Sequence, residues 1–360
     1  MDSTTPEKKK KMRFGVIGAG KLGGFHTRTL SKMPEAELIG VSDPNLLRAQ
    51  MLAWKHNCVA YKTVEELLSQ VDAMVVAAPT EYHSDIGMKA LEAGIHVLME
   101  KPLANSEEGA RKLLELAERK KLVLQVGHSE RFNPAVVETL KYIKNPRFIT
   151  IERLGPYDPR VAATGVTLDL MIHDLDILLT MMDTPIESFE AVGASILSSH
   201  EDISNVRIKF KNGCIADITA SRVSMEASRR MRIYQEDAYI SVDYVSSRLK
   251  IYKKKSPVIR TLKDVEIIFP KLERKEPIKE ELYHFIDCIR TAKKPTPSGE
   301  KGLKAVRLAL DIVDSLKRYE LSGAKMPDSR PSLAQSLGDI GNATRMMVEE
   351  GLKNSGIDKS

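Results

Sequence analysis

Cysteine is scarce in this sequence of 360 residues, which contains only Cys58, Cys214 and Cys288. The three residues are odd in number, widely separated and outside any C-x-x-C arrangement. This spacing argues against a disulfide framework and against a thiolate metal site, and it favours a reducing compartment. We therefore expect a cytoplasmic protein that holds no metal ion.

Long apolar runs are also lacking, because no stretch approaches the roughly 20 residues that cross a bilayer. No apolar segment follows the lysines near the N-terminus, so a secretory signal is not predicted. The basic run Lys8–Lys11 is short and has no aromatic neighbours, and the net charge is only +6. We expect neither a nucleic-acid partner nor membrane insertion, while a small anionic substrate remains compatible with the charge.

The first part of the chain alternates short apolar runs with amphipathic segments. Thr63 with Glu66, and Asn105 with Glu108, are typical of helix starts, and Gly94 is expected to end a helix that begins near Tyr82. Such strand–helix alternation predicts an α/β domain over residues 12–145 with a doubly wound parallel sheet. The expected strands are Arg13–Ile17, Leu38–Ser42, Ala73–Ala78, His96–Met99 and Leu122–Val126.

The second part, residues 146–325, has an α+β pattern. One helix over about 167–182 precedes a series of strands with a period of two, which predicts a large, open, mostly antiparallel sheet. Two helices, at about 276–291 and 299–319, are expected to flank that sheet. Its open face needs a cover, so we expect a homodimer or homotetramer. The expected strands are Ser188–Leu197, Asn205–Lys209, Ile215–Ser221, Met231–Tyr234, Tyr239–Asp243, Arg248–Tyr252 and Val265–Ile268.

The two ends of the chain lie outside these domains. Residues 1–11 are expected to form a disordered basic tail, and residues 326–360 a polar tail with weak patterning.

A glycine-rich turn, Gly18-Ala19-Gly20-Lys21-Leu22-Gly23, follows the first expected strand and opens a helix. This pattern is typical of dinucleotide sites, where the glycines allow a tight turn and close approach of a pyrophosphate to free backbone N–H groups. Asp43 ends the next expected strand, twenty residues after Gly23, where a carboxylate binds the adenosine ribose. Because that carboxylate would repel a 2′-phosphate, the pattern favours NAD over NADP. The alternative is a simple glycine turn with an unrelated surface aspartate.

Ala77-Ala78-Pro79-Thr80 ends the third expected strand, and His83 follows three residues later. We expect Ala78, Pro79 and Thr80 to border the nicotinamide half of the site. His83 is either a ligand contact or only a residue at the start of a helix.

Lys101 follows an apolar strand, between Glu100 and Pro102, and Asp169 and His173 are four residues apart on an expected helix. A charged residue at the carboxyl end of such a strand faces the ligand crevice, and residues four apart share a helix face. A cation, a carboxylate and an imidazole are the groups needed to take a proton from an alcohol. The alternative is that Lys101 is an ordinary surface lysine, and that Asp169 and His173 are a solvated pair on a helix.

Taken together, the glycine turn, Asp43, Ala78-Pro79-Thr80 with His83, Glu100-Lys101-Pro102 and Asp169–Asp176 resemble the glucose–fructose oxidoreductase/inositol dehydrogenase (Gfo/Idh/MocA) family. The resemblance extends over residues 12–320. It implies an NAD(P)-dependent oxidoreductase of sugars or cyclitols, with a Rossmann domain that binds NAD and a cis bond between Lys101 and Pro102.

The same resemblance implies the roles of single residues. Lys101 approaches both the nicotinamide ribose and the reacting hydroxyl, His173 is the acid/base and Asp169 orients the substrate. Whether Lys101 or His173 is the base stays open. Glu100, His128 and Arg131 are further expected cofactor contacts, with a packed core histidine as the alternative for His128.

The stretches Gly127–Pro134 and Leu168–Asp176 are most similar to the branch of the family that acts on nucleotide sugars, in particular on the 3-hydroxyl of UDP-N-acetylglucosamine for lipid A or surface polysaccharide. Arginines such as Arg131, Arg153 and Arg160 are candidates for holding a diphosphate.

Met171 stands where many relatives have glycine and is expected to crowd the substrate side of its helix. The alternatives are a dehydrogenase of a free sugar or inositol, and a sensor that binds NAD and sugar without turnover.

Overall fold

A computed structural model of the protein describes residues 10–158 and 164–318. Two sheets organise these residues, a six-stranded sheet built from residues 12–127 and a nine-stranded sheet built from residues 146–318. The predicted C-terminal tail, and all but two residues of the predicted N-terminal tail, lie outside the described residues. Within the described ranges, no helix is long and apolar enough to cross a membrane.

The N-terminal sheet is parallel throughout, with the order β3-β2-β1-β4-β5-β6. Its central strands are apolar without alternation because helices cover both faces. The doubly wound α/β prediction is confirmed. The elements are β1 Met12–Ile17, α1 Lys21–Leu30, β2 Ala36–Ser42, α2 Leu46–His56, β3 Val59–Tyr61, α3 Val64–Leu68, β4 Ala73–Val76, α4 His83–Glu92, β5 His96–Glu100, α5 Glu107–Lys120, β6 Leu124–Gly127 and α6 Pro134–Leu140.

The helix starts are set by side chains that accept backbone N–H groups. Thr63 caps α3 through the N–H of Glu66, as predicted. The predicted cap at Asn105 is wrong by one residue, since Ser106 accepts the N–H of Gly109 and begins α5. Gly94 follows α4 with a φ of +82°, which confirms the predicted end of that helix.

The strand order reverses between β1 and β4, whose carboxyl ends carry the glycine turn and the loop at residues 77–80. Lys101 directly follows β5, the next strand in the sheet. Ligands of open α/β sheets bind in the crevice at such a reversal. The topology therefore brings these three predicted segments to one edge of the sheet.

The C-terminal sheet has the order β14-β13-β12-β11-β7-β10-β9-β8-β15. It is mostly antiparallel, as predicted, except that β7 runs parallel to β10 and β15 parallel to β8. Helices lie against one face. The elements are β7 Pro146–Leu154, α7 Ile172–Met181, β8 Ile186–Ala194, β9 Ile203–Phe210, β10 Ile215–Ser221, β11 Ser228–Gln235, β12 Ala238–Asp243, β13 Arg248–Lys254, β14 Val265–Ile268, α8 Pro277–Thr291, α9 Gly299–Ser315 and β15 Lys317–Arg318.

The single predicted helix at 167–182 divides into two parts. Thr167–Met171 forms a π-helix, and α7 continues from Ile172. A π turn widens the helix by one residue and is frequent at functional sites. Met171, which was expected to crowd the substrate side, is instead fully buried within the main apolar core.

Candidate active site

The glycine turn between β1 and α1 leaves no room for side chains at two of its positions. Gly18 has a φ of +99°, and a Cβ there would lie 2.5 Å from the carbonyl oxygen of Ala77. A Cβ on Gly23 would lie 1.8 Å from the carbonyl oxygen of Gly18. Gly20 faces open space, and no side chain caps α1 there. A pyrophosphate fits this arrangement, because the first N–H groups of α1 are available to it.

Asp43 lies directly beside the turn. Its Oδ2 accepts the N–H of Ala19 at 2.7 Å and its Oδ1 accepts the N–H of Asn45 at 2.8 Å. These bonds hold the carboxylate at the end of β2, one residue after Ser42. The structure thus brings Asp43 to the glycine turn, and Lys21 and Leu22 are exposed beside it. A carboxylate in this position suits a ribose hydroxyl.

His83 does not reach the crevice as a free ligand group. It is buried, with Nδ1 2.8 Å from the carbonyl oxygen of Pro102 and Nε2 2.9 Å from that of Ala78. Burial lowers the pKa of His83, although the two carbonyls act in the opposite direction. The ring ties the Ala78–Thr80 loop to the segment after Lys101. A contact between His83 and a ligand stays a prediction.

Lys101, directly after β5, contacts the C-terminal part of the chain at Asp169. Its Nζ donates to the backbone oxygen of Asp169 at 2.5 Å and to the Asp169 carboxylate at 3.1 Å. The Lys101 side chain is 11% exposed and that of Asp169 is 22% exposed, so solvent screens the pair only partly. The bond between Lys101 and Pro102 is cis, as the family resemblance implied.

His173 lies in the first turn of α7, four residues after Asp169. Its Nδ1 is buried without a hydrogen-bond partner among the described residues, although the side chain as a whole keeps some exposure. Burial, and then the positive charge of Lys101, lower the pKa of His173 well below its usual range. The imidazole is therefore neutral at pH 7 and able to accept a proton.

His128 and His173 form a pair of rings with centroids 6.4 Å apart, arranged edge to face. His128 is buried, and burial lowers its pKa. The structure therefore brings Lys101, Asp169, His173 and His128 into one cluster, in which His128 is buried and His173 keeps some exposure.

Two of the arginines predicted to hold a diphosphate are engaged by carboxylates. Arg131 forms a bidentate ion pair with Asp176, with one contact at 2.6 Å. Arg153 binds Asp174 at 2.7 and 2.9 Å and Glu130 at 3.2 Å. Both guanidinium groups are buried and paired with carboxylates of α7, so they hold that helix in place, and their contacts with a diphosphate or, for Arg131, with the cofactor stay predictions. The third, Arg160, lies outside the described residues.

Glu100 is also buried away from the crevice. Its Oε1 is 2.7 Å from Nε2 of His26, a residue of α1 that sequence reasoning missed. Burial raises the pKa of Glu100, but the hydrogen bond to His26 and the charge of Lys101 outweigh it, and the net shift is downward. Glu100 therefore anchors α1 to the start of the Lys101 loop. Its contact with the cofactor stays a prediction.

Sequence reasoning missed His26, and it noted Asp174 and Asp176 only as part of the family resemblance, without a role for either. All three are buried polar residues on helices whose sequences otherwise indicate packing. A polar residue at a helix position that otherwise follows the apolar pattern could have indicated a buried pair, because polar groups are buried only with partners.

In chemical terms, the cluster can remove a proton from a hydroxyl and stabilise the resulting oxyanion. Within residues 10–158 and 164–318, no group of three or more His, Cys, Asp or Glu side chains is arranged to hold a metal ion.

Comparison with known proteins identifies the two halves of the chain. Residues 12–128 match the description "Oxidoreductase family, NAD-binding Rossmann fold", and residues 149–241 match the "GFO/IDH/MocA C-terminal domain".

Individual relatives agree with these matches. The chain is 34% identical over 306 residues to UDP-N-acetylglucosamine 3-dehydrogenase of Acidithiobacillus ferrooxidans, covering 84% of this chain and 96% of the relative. A solved structure of that enzyme, GnnA, superposes with a TM-score of 0.80 at 33% identity, covering 85% of this chain and 98% of the other. The chain is also 27% identical over 331 residues to the myo-inositol 2-dehydrogenase of Thermotoga maritima, covering 85% of this chain and 96% of the relative. With a Rossmann turn shaped for a dinucleotide and relatives that match nearly end to end, this chain belongs to the Gfo/Idh/MocA family of NAD-binding oxidoreductases.

Proposed function

We propose that this protein is an NAD-dependent dehydrogenase that oxidises the 3-hydroxyl of UDP-N-acetylglucosamine or of a closely related nucleotide sugar. The observation that carries the proposal is the contact of Lys101 with Asp169, one helical turn before His173. The choice of sugar is supported by the 34% identity to UDP-N-acetylglucosamine 3-dehydrogenase over most of both chains.

The proposed reaction removes a hydride and a proton from one carbinol. Bound NAD supplies the hydride acceptor. Neutral His173 accepts the hydroxyl proton as the C–H bond breaks, and the ammonium of Lys101 stabilises the negative charge that develops on the oxygen. Asp169 holds Lys101 in place and is positioned to bind a neighbouring hydroxyl. The products are a ketone, NADH and a proton.

Asp43 is proposed to select NAD over NADP. Its carboxylate beside Ala19 suits two ribose hydroxyls and repels a 2′-phosphate. We expect Asp43→Ala to weaken NAD binding by about tenfold and to narrow the preference for NAD. Initial rates with NAD and NADP test this, and an unchanged preference would remove Asp43 from cofactor selection.

The substrate is tested by following NADH absorbance with UDP-N-acetylglucosamine, N-acetylglucosamine and myo-inositol in parallel. A carbonyl trap such as hydrazine draws the equilibrium towards the ketone. NADH formation with the nucleotide sugar alone supports the proposal. The 27% identity to a myo-inositol 2-dehydrogenase favours a second candidate, a cyclitol or free-sugar dehydrogenase, which turnover of those substrates would establish instead. Tight NAD binding without any turnover would favour a sensor.

The proposed cellular role follows from the product. A 3-keto nucleotide sugar is the substrate class that an aminotransferase requires, and such sugars would serve lipid A or surface polysaccharide biosynthesis in the cytoplasm.

We further propose that the open face of the C-terminal sheet binds a second copy of this chain. A row of neighbouring aromatic rings crosses four strands there, with centroids 5.0–5.7 Å apart, and Tyr234 is 40% exposed. Large aromatic residues of this kind are enriched in interfaces. Sedimentation should give a dimer or tetramer, and Tyr234→Glu should shift it to the monomer, whereas a wild-type monomer would contradict the proposal. The row consists of Phe148, Tyr234, Tyr239 and Tyr252.

A further inference from the structure

Glu281, on α8, is a buried carboxyl group with no part in the mechanism described above. Its side chain is fully buried, and neither Oε1 nor Oε2 has a hydrogen-bond partner among the described residues. Glutamate is almost never buried in this way unless it is paired. Packing alone therefore does not explain a carboxyl group at position 281.

Gln125, on β6, extends the same buried region. Its Nε2 donates to the backbone oxygen of Glu281 at 3.3 Å, while its Oε1 has no partner among the described residues. Gln125 is fully buried, so bulk solvent does not satisfy that oxygen either. The unpartnered atoms of β6 and α8 thus belong to one polar region in the interior.

His128 continues the region towards the candidate active site. Neither of its ring nitrogens has a hydrogen-bond partner in the described parts of the chain, and Nε2 is 3.7 Å from the Asp176 carboxylate, beyond hydrogen-bond distance. Arg131, three residues later, leaves Nη1 buried and unpartnered as well. Since His128 lies edge to face with His173, the region reaches the ring of the proposed base.

Several adjacent polar groups that lack partners would together oppose folding, because each loses its hydrogen bonds to water on burial. Internal water is the partner that fits, since a buried water needs two to four polar groups and this region offers donors and acceptors of both kinds. Such waters bridge groups that do not touch directly.

We propose that Glu281, Gln125 and His128 bind internal water next to the candidate active site, and that the Glu281 carboxyl group donates a hydrogen bond into this water and thereby positions His128 against His173. Glu281 is a positioning residue in this scheme, because it acts through His128. The inference deepens the proposed function and rests on it for the role of His173.

The charges around Glu281 support a neutral donor. Burial, and then the carboxylates of Glu100 and Asp176, raise the pKa of Glu281 well above its usual range. Glu100 itself is held in the ionised form by His26 of α1. Other titratable or charged groups around this region are Lys101 and Arg131, whose charges act on His128, and His284 on α8 itself. Two neighbouring carboxyl groups are thus driven to opposite protonation states.

Two substitutions separate a neutral donor from other roles. Glu281→Gln keeps a group that can donate, whereas Glu281→Leu keeps the volume and removes the hydrogen bond. We expect Glu281→Leu to lower kcat by about tenfold with KM values for NAD and sugar within about threefold, and Glu281→Gln to restore most of kcat. Asp287→Leu, at an exposed position of the same helix, is the matched control.

Three kinetic outcomes would contradict the proposed role of Glu281. Loss of kcat in both Glu281 variants would mean that the ionised carboxylate is needed, and wild-type kcat in Glu281→Leu would mean that the residue is only structural. Either result overturns the proposal. An effect of Asp287→Leu equal to that of Glu281→Leu would also overturn it, because the loss would then belong to α8 in general.

A high-resolution crystal structure of the wild-type protein tests the water directly and without any substrate. Ordered waters in contact with Glu281, Gln125 and His128 are expected, and their loss near His128 in Glu281→Leu. A dry region, or direct contacts among these side chains, would overturn the proposal. If the protein turned over no sugar at all but the waters were present, the proposed function would fail while the internal water site stood.

Discussion

At the scale of single residues, the account depends on one lysine held by a residue from another part of the chain. Lys101→Ala removes the ammonium that contacts Asp169. We expect turnover to fall by roughly two orders of magnitude or more while NAD affinity changes by less than about tenfold, because the proposed mechanism places the lysine at the developing oxyanion. Steady-state kinetics with NAD titration measure both quantities. Lys89→Ala, which removes an exposed ion pair with Glu65, is the control. Normal turnover of Lys101→Ala would exclude the lysine from the mechanism.

His173 leads to a prediction about pH. Because burial and Lys101 lower its pKa, the imidazole stays neutral well below the ordinary histidine value of about 6.5. We expect kcat/KM to hold its plateau as the pH falls through 6.5 and to decline only at lower pH, where His173 becomes protonated. A decline centred at or above 6.5 in the pH profile would rule out a neutral, buried His173 as the base.

Glu281 leads to a prediction about stability. Its pKa is raised in the folded state, so the stability it contributes is complete below the unfolded value of about 4.3 and is lost as the pH rises towards the folded value. The free energy of unfolding of the wild type should therefore fall as the pH rises through that window. Glu281→Gln removes this dependence, so its Tm should gain on the wild type between pH 4 and pH 7. A Tm difference that does not change with pH would contradict a raised pKa.

At the scale of elements, the glycine turn offers a matched pair of substitutions. Gly23→Ala places a Cβ 1.8 Å from the oxygen of Gly18, so the turn must shift and NAD affinity should fall by at least about tenfold. Gly24→Ala meets only Leu52, at 4.0 Å, and should leave affinity unchanged while stabilising α1 slightly. Calorimetric titration with NAD compares the two. Equal affinities would show that the turn does not shape the site.

Most helices and strands were predictable from patterns of apolar residues, but β7 and β3 were not. The inward positions of β7 include Arg153 as well as Ile149 and Ile151, and a buried arginine conceals the alternation. Only tertiary structure reveals that Asp174 and Glu130 neutralise it. The three residues of β3 are too few to show a period.

The helix at Thr167–Met171 shows a second limit of sequence patterns. The residue types predict a continuous helix, and the π turn that precedes His173 has no signature in single-sequence periodicity. The candidate residues Lys101, Asp169 and His173 were nevertheless found from their order and neighbours. The burial of Asp176 and Glu281 and their surroundings were not predictable, because burial is decided by how helices from distant parts of the chain pack.

At the scale of the whole molecule, the candidate site residues come from the regions of both sheets. The parallel sheet carries the glycine turn, Asp43 and Lys101 on loops at one edge, and the region of the open sheet supplies Asp169 and His173. No sequence spacing predicts the distance of 3.1 Å between Lys101 and Asp169, which are 68 residues apart. Neither the N-terminal nor the C-terminal part of the chain holds all of these residues, so the proposed reaction requires both parts.

The central claim is that Lys101 and His173 meet at one hydroxyl of a nucleotide sugar above bound NAD. A crystal structure of the complex with NAD and UDP-N-acetylglucosamine measures this directly. The account predicts that the 3-hydroxyl lies within hydrogen-bond reach of both side chains, with C3 of the sugar facing C4 of the nicotinamide. A sugar bound with its 3-hydroxyl away from both groups would contradict the account.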